Sequence, residues 1–291
     1  MIIEPRAVQL TPRSGISVRR TVPTRQVRTI GAWCFLDHFG PSADGGMMTI
    51  GAHPHVGLQT VTWLFSGQVE HRDSVGSIQV ITPGELNLMT SGEGIAHSEL
   101  AEPPEPLHGV QLWVALPDTA RHQAPHFEHH RDLPEFEHDG ARIRVFMGSL
   151  LGHDSPASTY SPLVGAHVTL SEATVSIPRP QGFQIGILPA DHDVSINGKH
   201  VPATHLFVLD EDEGSITITG QPGSNVMLLG GEPFTEPTVM WWNFIGRTHD
   251  EVRQMREDWA NNNTTRFAAF DDRINSRVPA PEMPNVPLKA R

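Results

Sequence analysis

The chain has 291 residues, enough for two domains of ordinary size, each with its own core. Its formal charge is −12, from 21 Lys and Arg against 33 Asp and Glu, so its long-range field repels nucleic acid and anionic membrane. The single cysteine, Cys34, excludes an intrachain disulfide and favours a reducing compartment, and it reads as a small core residue beside Trp33 and Phe35.

Met1 to Gly15 lacks an apolar secretory core, and no apolar run approaches a bilayer span. A soluble, cytoplasmic protein with no membrane or direct nucleic-acid partner is expected. Arg6, Arg13, Arg19, Arg20, Arg25 and Arg28 face only Glu4 before Asp37. With no aromatic residues or reading motif among them, they read as the solvated basic face of a strand.

Gly at 26 positions and Pro at 25, with short apolar runs between them, predict an all-β protein with tight turns. Ile16 to Val22 reads as the first strand, and Arg28 to Phe39 brings a dense apolar patch. The following loop carries Gly45 and Gly46, which allow conformations other residues avoid. The stretch Gly51 to Leu100 opens with His53-Pro54-His55 and closes with His97-Ser98-Glu99. In a strand, side chains at i and i+2 leave the same face, so each pair would point together and two neighbouring strands would converge four donors. Three imidazoles and a carboxylate suit a divalent first-row ion such as Fe, Mn, Ni, Cu or Zn, with a coordination position left for a reactant.

Within that stretch Gln59 to Phe65 alternates, and Ile78 to Thr82 with Leu86 to Thr90 flank Pro83-Gly84 as an expected hairpin. Val110 to Leu116 puts Val110, Leu112 and Val114 on one face and Gln111 and Trp113 on the other. Pro117 to Gly140 lacks periodic pattern and reads as a connector, with His126, Glu128, His129 and His130 as a solvated cluster. Strands are expected again at Ile143–Met147, His167–Ile177, Phe183–Leu188, Leu206–Leu209, Ser215–Thr219 and Val226–Leu229.

This second block echoes the first. Gly76 to Val80 matches Gly214 to Ile218, Pro83-Gly84 matches Pro222-Gly223, and Asn87 to Met89 matches Asn225 to Met227, at offsets of 138 or 139 positions. Such self-similarity points to a duplicated β unit. The register puts Glu236 and Thr238 where the first unit has His97 and Glu99, so the second unit is expected to be metal-free. Asp191-His192-Asp193 reads as a surface turn. A helix begins at Thr248, paired with Glu251 as a capping box ahead of Val252, Met255 and Trp259 on one face. It ends in Asn261 to Asn263, and past Arg277 the prolines 279, 281, 284 and 287 predict an extended tail on the surface or on a neighbouring subunit. Two domains follow, 1–135 and 136–291.

Gly31 to Pro41, His53-Pro54-His55, Gly92 to Glu99, Gly230 to Pro233 and Trp241 to Phe244 together resemble the pirin family of bicupins, in the right order over nearly the whole chain. The resemblance implies two cupin (jelly-roll-like) barrels with a short C-terminal helix and tail, the first holding iron and the second without metal. It carries the ligand set to His53, His55, His97 and Glu99, and iron(II) to the metal. Where the commoner motif has Arg and Glu after His-Pro-His, this chain has Val56 and Gln59, which leaves Glu99 as the one carboxylate ligand and Gln59 as a hydrogen-bond partner behind the ligands.

Three activities fit such a chain. The first is a dioxygenase that opens a quercetin-like flavonol with O2, with Glu99 as the base that takes the substrate proton. Trp33, Phe35, Phe39, Met47, Met48 and Trp63 are candidates for an apolar mouth, or equally for ordinary core. The second is a non-enzymatic, iron-bearing protein whose partner reads its redox state; the third is a cupin-type isomerase or hydrolase that uses the ion as a Lewis acid.

Overall fold

A computed structural model of the chain describes residues 1–10, 16–42, 47–102, 105–210 and 214–290. Arg13 and the Gly45-Gly46 loop lie outside them. Apart from one helix, His249–Ala260, the regular structure of the described residues is all β-sheet. No helix among them is long and apolar enough to cross a membrane.

The first barrel has two sheets. One runs in the order Met48–His55, Ile95–Ala101, Val69–Asp73, Ile78–Ile81. The other runs His126–His130, Leu86–Thr90, Leu58–Ser66, His108–Ala115, Trp33–Phe39, Ser17–Val22, Arg6–Gln9. The second barrel repeats this plan. Its smaller sheet is Thr174–Pro178, Ser215–Thr219, Val194–Ile196, Lys199–Val201, and its larger one is Ile2–Ile3, Leu206–Val208, Gln184–Pro189, Asn225–Gly231, Leu163–Leu170, Ala141–Leu150, Glu135–His138. The repeat is real, but its register is not the one the sequence echo suggests. In sheet order Ile78–Ile81 corresponds to Lys199–Val201 and Leu86–Thr90 to Leu206–Val208, while Ser215–Thr219 and Asn225–Gly231 stand where Ile95–Ala101 and His108–Ala115 stand. The echo misleads because short Gly- and Pro-punctuated strands resemble one another wherever they fall.

The expected hairpin at Pro83-Gly84 does not form. Ile78–Ile81 pairs with Val69–Asp73, and Leu86–Thr90 pairs with Leu58–Ser66 and His126–His130. The turn is a corner between sheets, which lets the chain close a barrel where a hairpin would prolong one sheet. The connector also carries structure. His126–His130 is an edge strand on the first barrel, and Glu135–His138 pairs with the second.

Alternation decides what each strand buries. Val110, Leu112 and Val114 join Trp33, Trp63 and Leu88 in a core shared with Phe146, Met147, Leu163 and Met227 of the second barrel. Trp63 stacks on Phe146 at 5.0 Å, and Trp33 Nε1 donates to the carbonyls of Val164 and Gly230 at 3.1 Å. These two rings are therefore bolts between barrels and do not line a mouth. Gly31, at φ +54°, sits where a Cβ would come within 2.6 Å of Gly231 Cα, so glycine is required at this close approach.

The chain ends cross over. Ile2–Ile3 pairs with Leu206–Val208 of the second barrel. The helix follows its expected cap, with Thr248 Oγ1 accepting from Glu251 N while Glu251 Oε2 accepts from Arg247 N. Its buried face, Val252, Met255 and Trp259, packs with Ala52, Val56 and Ala96 of the first barrel. The tail then forms a strap: Ala52 N donates to Ser276 O, and Val278 N donates to Ala52 O. A Cβ on Gly51 would lie 2.4 Å from Ser276 O, so a side chain there would lift the strap.

Candidate metal centre

The strands Met48–His55 and Ile95–Ala101 run antiparallel, with His97 opposite His53 and Glu99 opposite Ile50. Between those pairs one strand advances two residues and the other three, a bulge in the strand that carries Ala52. Gly51 and Ala52 thus have no partner opposite, and the backbone of Ala52 is the group that takes up the strap. The bulge leaves Glu99 and the three histidines lining one cavity.

One ligand atom from each of His53, His55 and His97 lies within 4.8 Å of the other two, the one such cluster among the described residues. Glu99 stands beside this cluster and is not a member of it. Ring centroids are 4.3 Å apart for His53 and His97, 5.0 Å for His55 and His97, and 5.1 Å for His53 and His55. All four side chains are buried. Burial holds His53 down to about 4, against the carbonyl of Gly51, which raises it. It holds His55 and His97 well below the usual imidazole range, with the neighbouring rings adding to the effect. Three neutral imidazoles are what a cation needs. His53 Nδ1 donates to Gly51 O at 2.9 Å, whereas His97 Nε2 and His55 Nδ1 are buried without any partner. Buried polar atoms without partners are rare and costly, and a bound ion would satisfy them. Burial also pushes the Glu99 carboxyl up to about 7, and a cation would reverse that. The donors fit a divalent first-row ion.

The cavity is about 360 Å³. Phe35 and Trp113, stacked at 3.9 Å, form one wall, and Trp113 meets His55 edge-on. Phe39 and Met48 line it as well, while Met47 is 59 % exposed and does not. Gln111 and Thr62 are bonded at 3.0 Å, and Arg20 grips both oxygens of Asp37 at 2.7 Å. Asp37 is raised by burial against the pull of Arg20. Met240, Trp242, Asn243 and Val278 close the cavity from the C-terminal segment.

Other expected partners lie elsewhere. Gln59 donates to Thr90 Oγ1 and Ser158 O, so its amide serves the junction with the 158 loop and not the ligands. Glu128 holds His130 at 3.0 Å and Ser158 N at 3.2 Å, so that cluster is a half-buried network on the edge strand. Glu236 is tied up with Arg247 and Asp118 N. Asp191 accepts from the backbone N–H and the Nδ2 of Asn225, at the start of the strand Asn225–Gly231, which pins the turn. His71 and Asp73, buried behind His97, were not singled out by the sequence, although they form another same-face i, i+2 pair.

Comparison with known proteins agrees with this geometry. A family model described as Pirin matches residues 15–114, and one described as Pirin C-terminal cupin domain matches 166–267. A Pseudomonas aeruginosa protein named "Putative quercetin 2,3-dioxygenase" is 42 % identical over 274 residues, covering 93 % of this chain and 87 % of that protein. The crystal structure of an Acinetobacter baumannii quercetin 2,3-dioxygenase superposes with a TM-score of 0.94 at 40 % identity, covering 100 % of this chain and 97 % of that one. A bacterial pirin from Escherichia coli in complex with nickel(II) shares the fold, at a TM-score of 0.64 and 20 % identity over 80 % of this chain and 99 % of that one. Two cupin barrels, the first with a buried triad of histidines, and this breadth of similarity lead to one conclusion: the chain belongs to the pirin family.

Proposed function

We propose that His53, His55, His97 and Glu99 hold one divalent ion, iron(II), and that the protein is a dioxygenase that opens a quercetin-like flavonol ring with O2. The observation that carries this reading is the partnerless His97 Nε2 and His55 Nδ1 in a buried histidine triad, at a cavity with a flat aromatic wall. The names of the Pseudomonas and Acinetobacter relatives support the substrate class, and the nickel-bound Escherichia coli neighbour supports the metal.

When bound, the ion supplies Lewis acidity and a redox partner for dioxygen chemistry. The chain's own residues do the rest. A carboxylate oxygen of Glu99, which lines the cavity that would receive the flavonol, takes the proton of its hydroxyl. The Phe35 and Trp113 pair gives a planar polycycle a surface to lie against, and Gln111, Thr62 and Asn243 offer hydrogen bonds that set its direction. Burial of the histidines keeps water from the reacting face. The lone, buried Cys34 suits the cytoplasm.

Oxygen uptake on adding quercetin to iron-loaded protein tests the reading, with Glu99→Gln as control. The reading requires quercetin-dependent uptake that the variant loses by about 100-fold or more, the scale of a general base. No uptake with a panel of flavonols, from protein shown to carry iron, would overturn the assignment.

A further inference from the structure

The strand Val69–Asp73 places His71 and Asp73 against the back of His97, His71 being 4 % exposed and Asp73 1 %. His71 Nδ1 lies 3.2 Å from His97 Nδ1, and His71 Nε2 lies 2.9 Å from Asp73 Oδ2. The other oxygen of Asp73 accepts from the backbone N–H groups of Val75 and Ser77, at 3.0 and 2.9 Å. The carboxylate is thus fixed by its own turn, with Oδ2 left for one side-chain donor. The His71 ring stacks on Phe127 at 4.5 Å and 16°, so it is not free to turn.

With both rings neutral, their hydrogen-bond partners set the direction of the chain. A neutral imidazole has one N–H, and an ionised carboxylate only accepts. Asp73 therefore draws the His71 proton to Nε2 and leaves Nδ1 as a bare lone pair. The donor facing that lone pair is His97 Nδ1–H. His97 Nε2, buried and without a partner, then carries the free lone pair. His53 reaches the same state by donating from Nδ1 to Gly51 O.

We propose that His71, held by Asp73, is a positioning residue that keeps His97 in its Nδ1–H tautomer and so reserves Nε2 for a divalent cation. The cation half of this rests on the metal reading above; the tautomer half concerns the metal-free protein and stands apart from it. Partners of this kind behind a ligating histidine fix ring and tautomer and raise ligand basicity, and losing one costs about 10–100-fold in metal affinity.

The test is long-range ¹H–¹⁵N correlation NMR of metal-free protein labelled at histidine, with Ni²⁺ affinity measured by chelator competition. Wild type is expected to show His97 protonated at Nδ1 and bare at Nε2. His71→Phe keeps a ring against Phe127 but no acceptor; His97 should then shift toward the Nε2–H form, with Ni²⁺ affinity lower by about 10–100-fold. His71→Gln offers an amide oxygen in place of the lone pair and should restore the Nδ1–H form and most of the affinity. An Nε2–H tautomer in wild type, or an Nδ1–H tautomer unchanged in His71→Phe, would overturn the proposal. The expected tautomer in a wild-type protein that binds no Ni²⁺ would overturn the metal reading alone.

Discussion

Replacing Glu99 by glutamine in the metal-free protein removes one buried charge and almost no volume. The carboxyl is 5 % exposed, and burial pushes it up to about 7 from an ordinary 4.5. Between those two pH values the unfolded chain has released the proton and the folded one still holds it. The sign follows: the stability this group contributes is fully present below pH 4.5 and is lost as pH rises through 7. At about 1.4 kcal/mol per pH unit between the two values, the loss is on the order of 3 kcal/mol by pH 8. Glutamine is neutral throughout. In chelator, the advantage of Glu99→Gln over wild type should therefore grow by that amount between pH 4.5 and 8. Urea midpoints across this range, followed by tryptophan fluorescence, measure it, because groups other than Glu99 titrate alike in both proteins. Added Fe²⁺ or Ni²⁺ should reverse the order at pH 8, where the carboxylate meets a cation. An advantage that is the same at every pH would refute the reasoning.

Arg20→Leu strands the Asp37 carboxylate, which is 1 % exposed, and should cost about 3–5 kcal/mol in urea unfolding. Adding Asp37→Asn should recover most of that, and failure to do so would mean that the guanidinium acts by packing. His38 and His108, joined Nε2 to Nε2 at 2.8 Å, are held down to about 2 and about 4, chiefly by burial. Their contribution is present above the ordinary value of 6.5 and is lost as pH falls toward 4, so His108→Gln should flatten the acid limb of a stability profile; superimposable limbs would contradict this. Gly51→Val should displace the strap at Ser276, cost about 1–3 kcal/mol and speed protease cleavage of the tail. Unchanged cleavage would show that the strap is not seated there.

Period-2 alternation made much of this protein legible from its residues. It put His53 with His55, His97 with Glu99, and Gln111 with Trp113 on common faces, and the cavity gathers all six. The same rule applied to His71 and Asp73 would have found the pair behind His97; the acid and arginine around them, Glu70 and Arg72, make the strand look like a solvated edge. What strand periodicity does not carry is the path between sheets. Pro83-Gly84 has turn chemistry whether it closes a hairpin or rounds a barrel corner, and only the partners of its flanking strands differ. The tail was equally opaque, because a proline-rich segment makes few local contacts and its seat depends on a bulge more than two hundred residues away at Ala52. Gln59 was misplaced because an amide suits a metal's surroundings and a junction between barrels equally well. Its strand's face toward Ser158 decides the matter.

The central claim is that the histidine triad holds an ion, and elemental analysis of protein purified without added metal tests it most directly. Wild type should carry about one divalent first-row ion per chain, and His97→Ala should carry almost none while its far-UV circular dichroism stays that of wild type. An unchanged metal-to-protein ratio in His97→Ala, or a metal-free wild type that takes up no Fe²⁺ or Ni²⁺, would contradict the account.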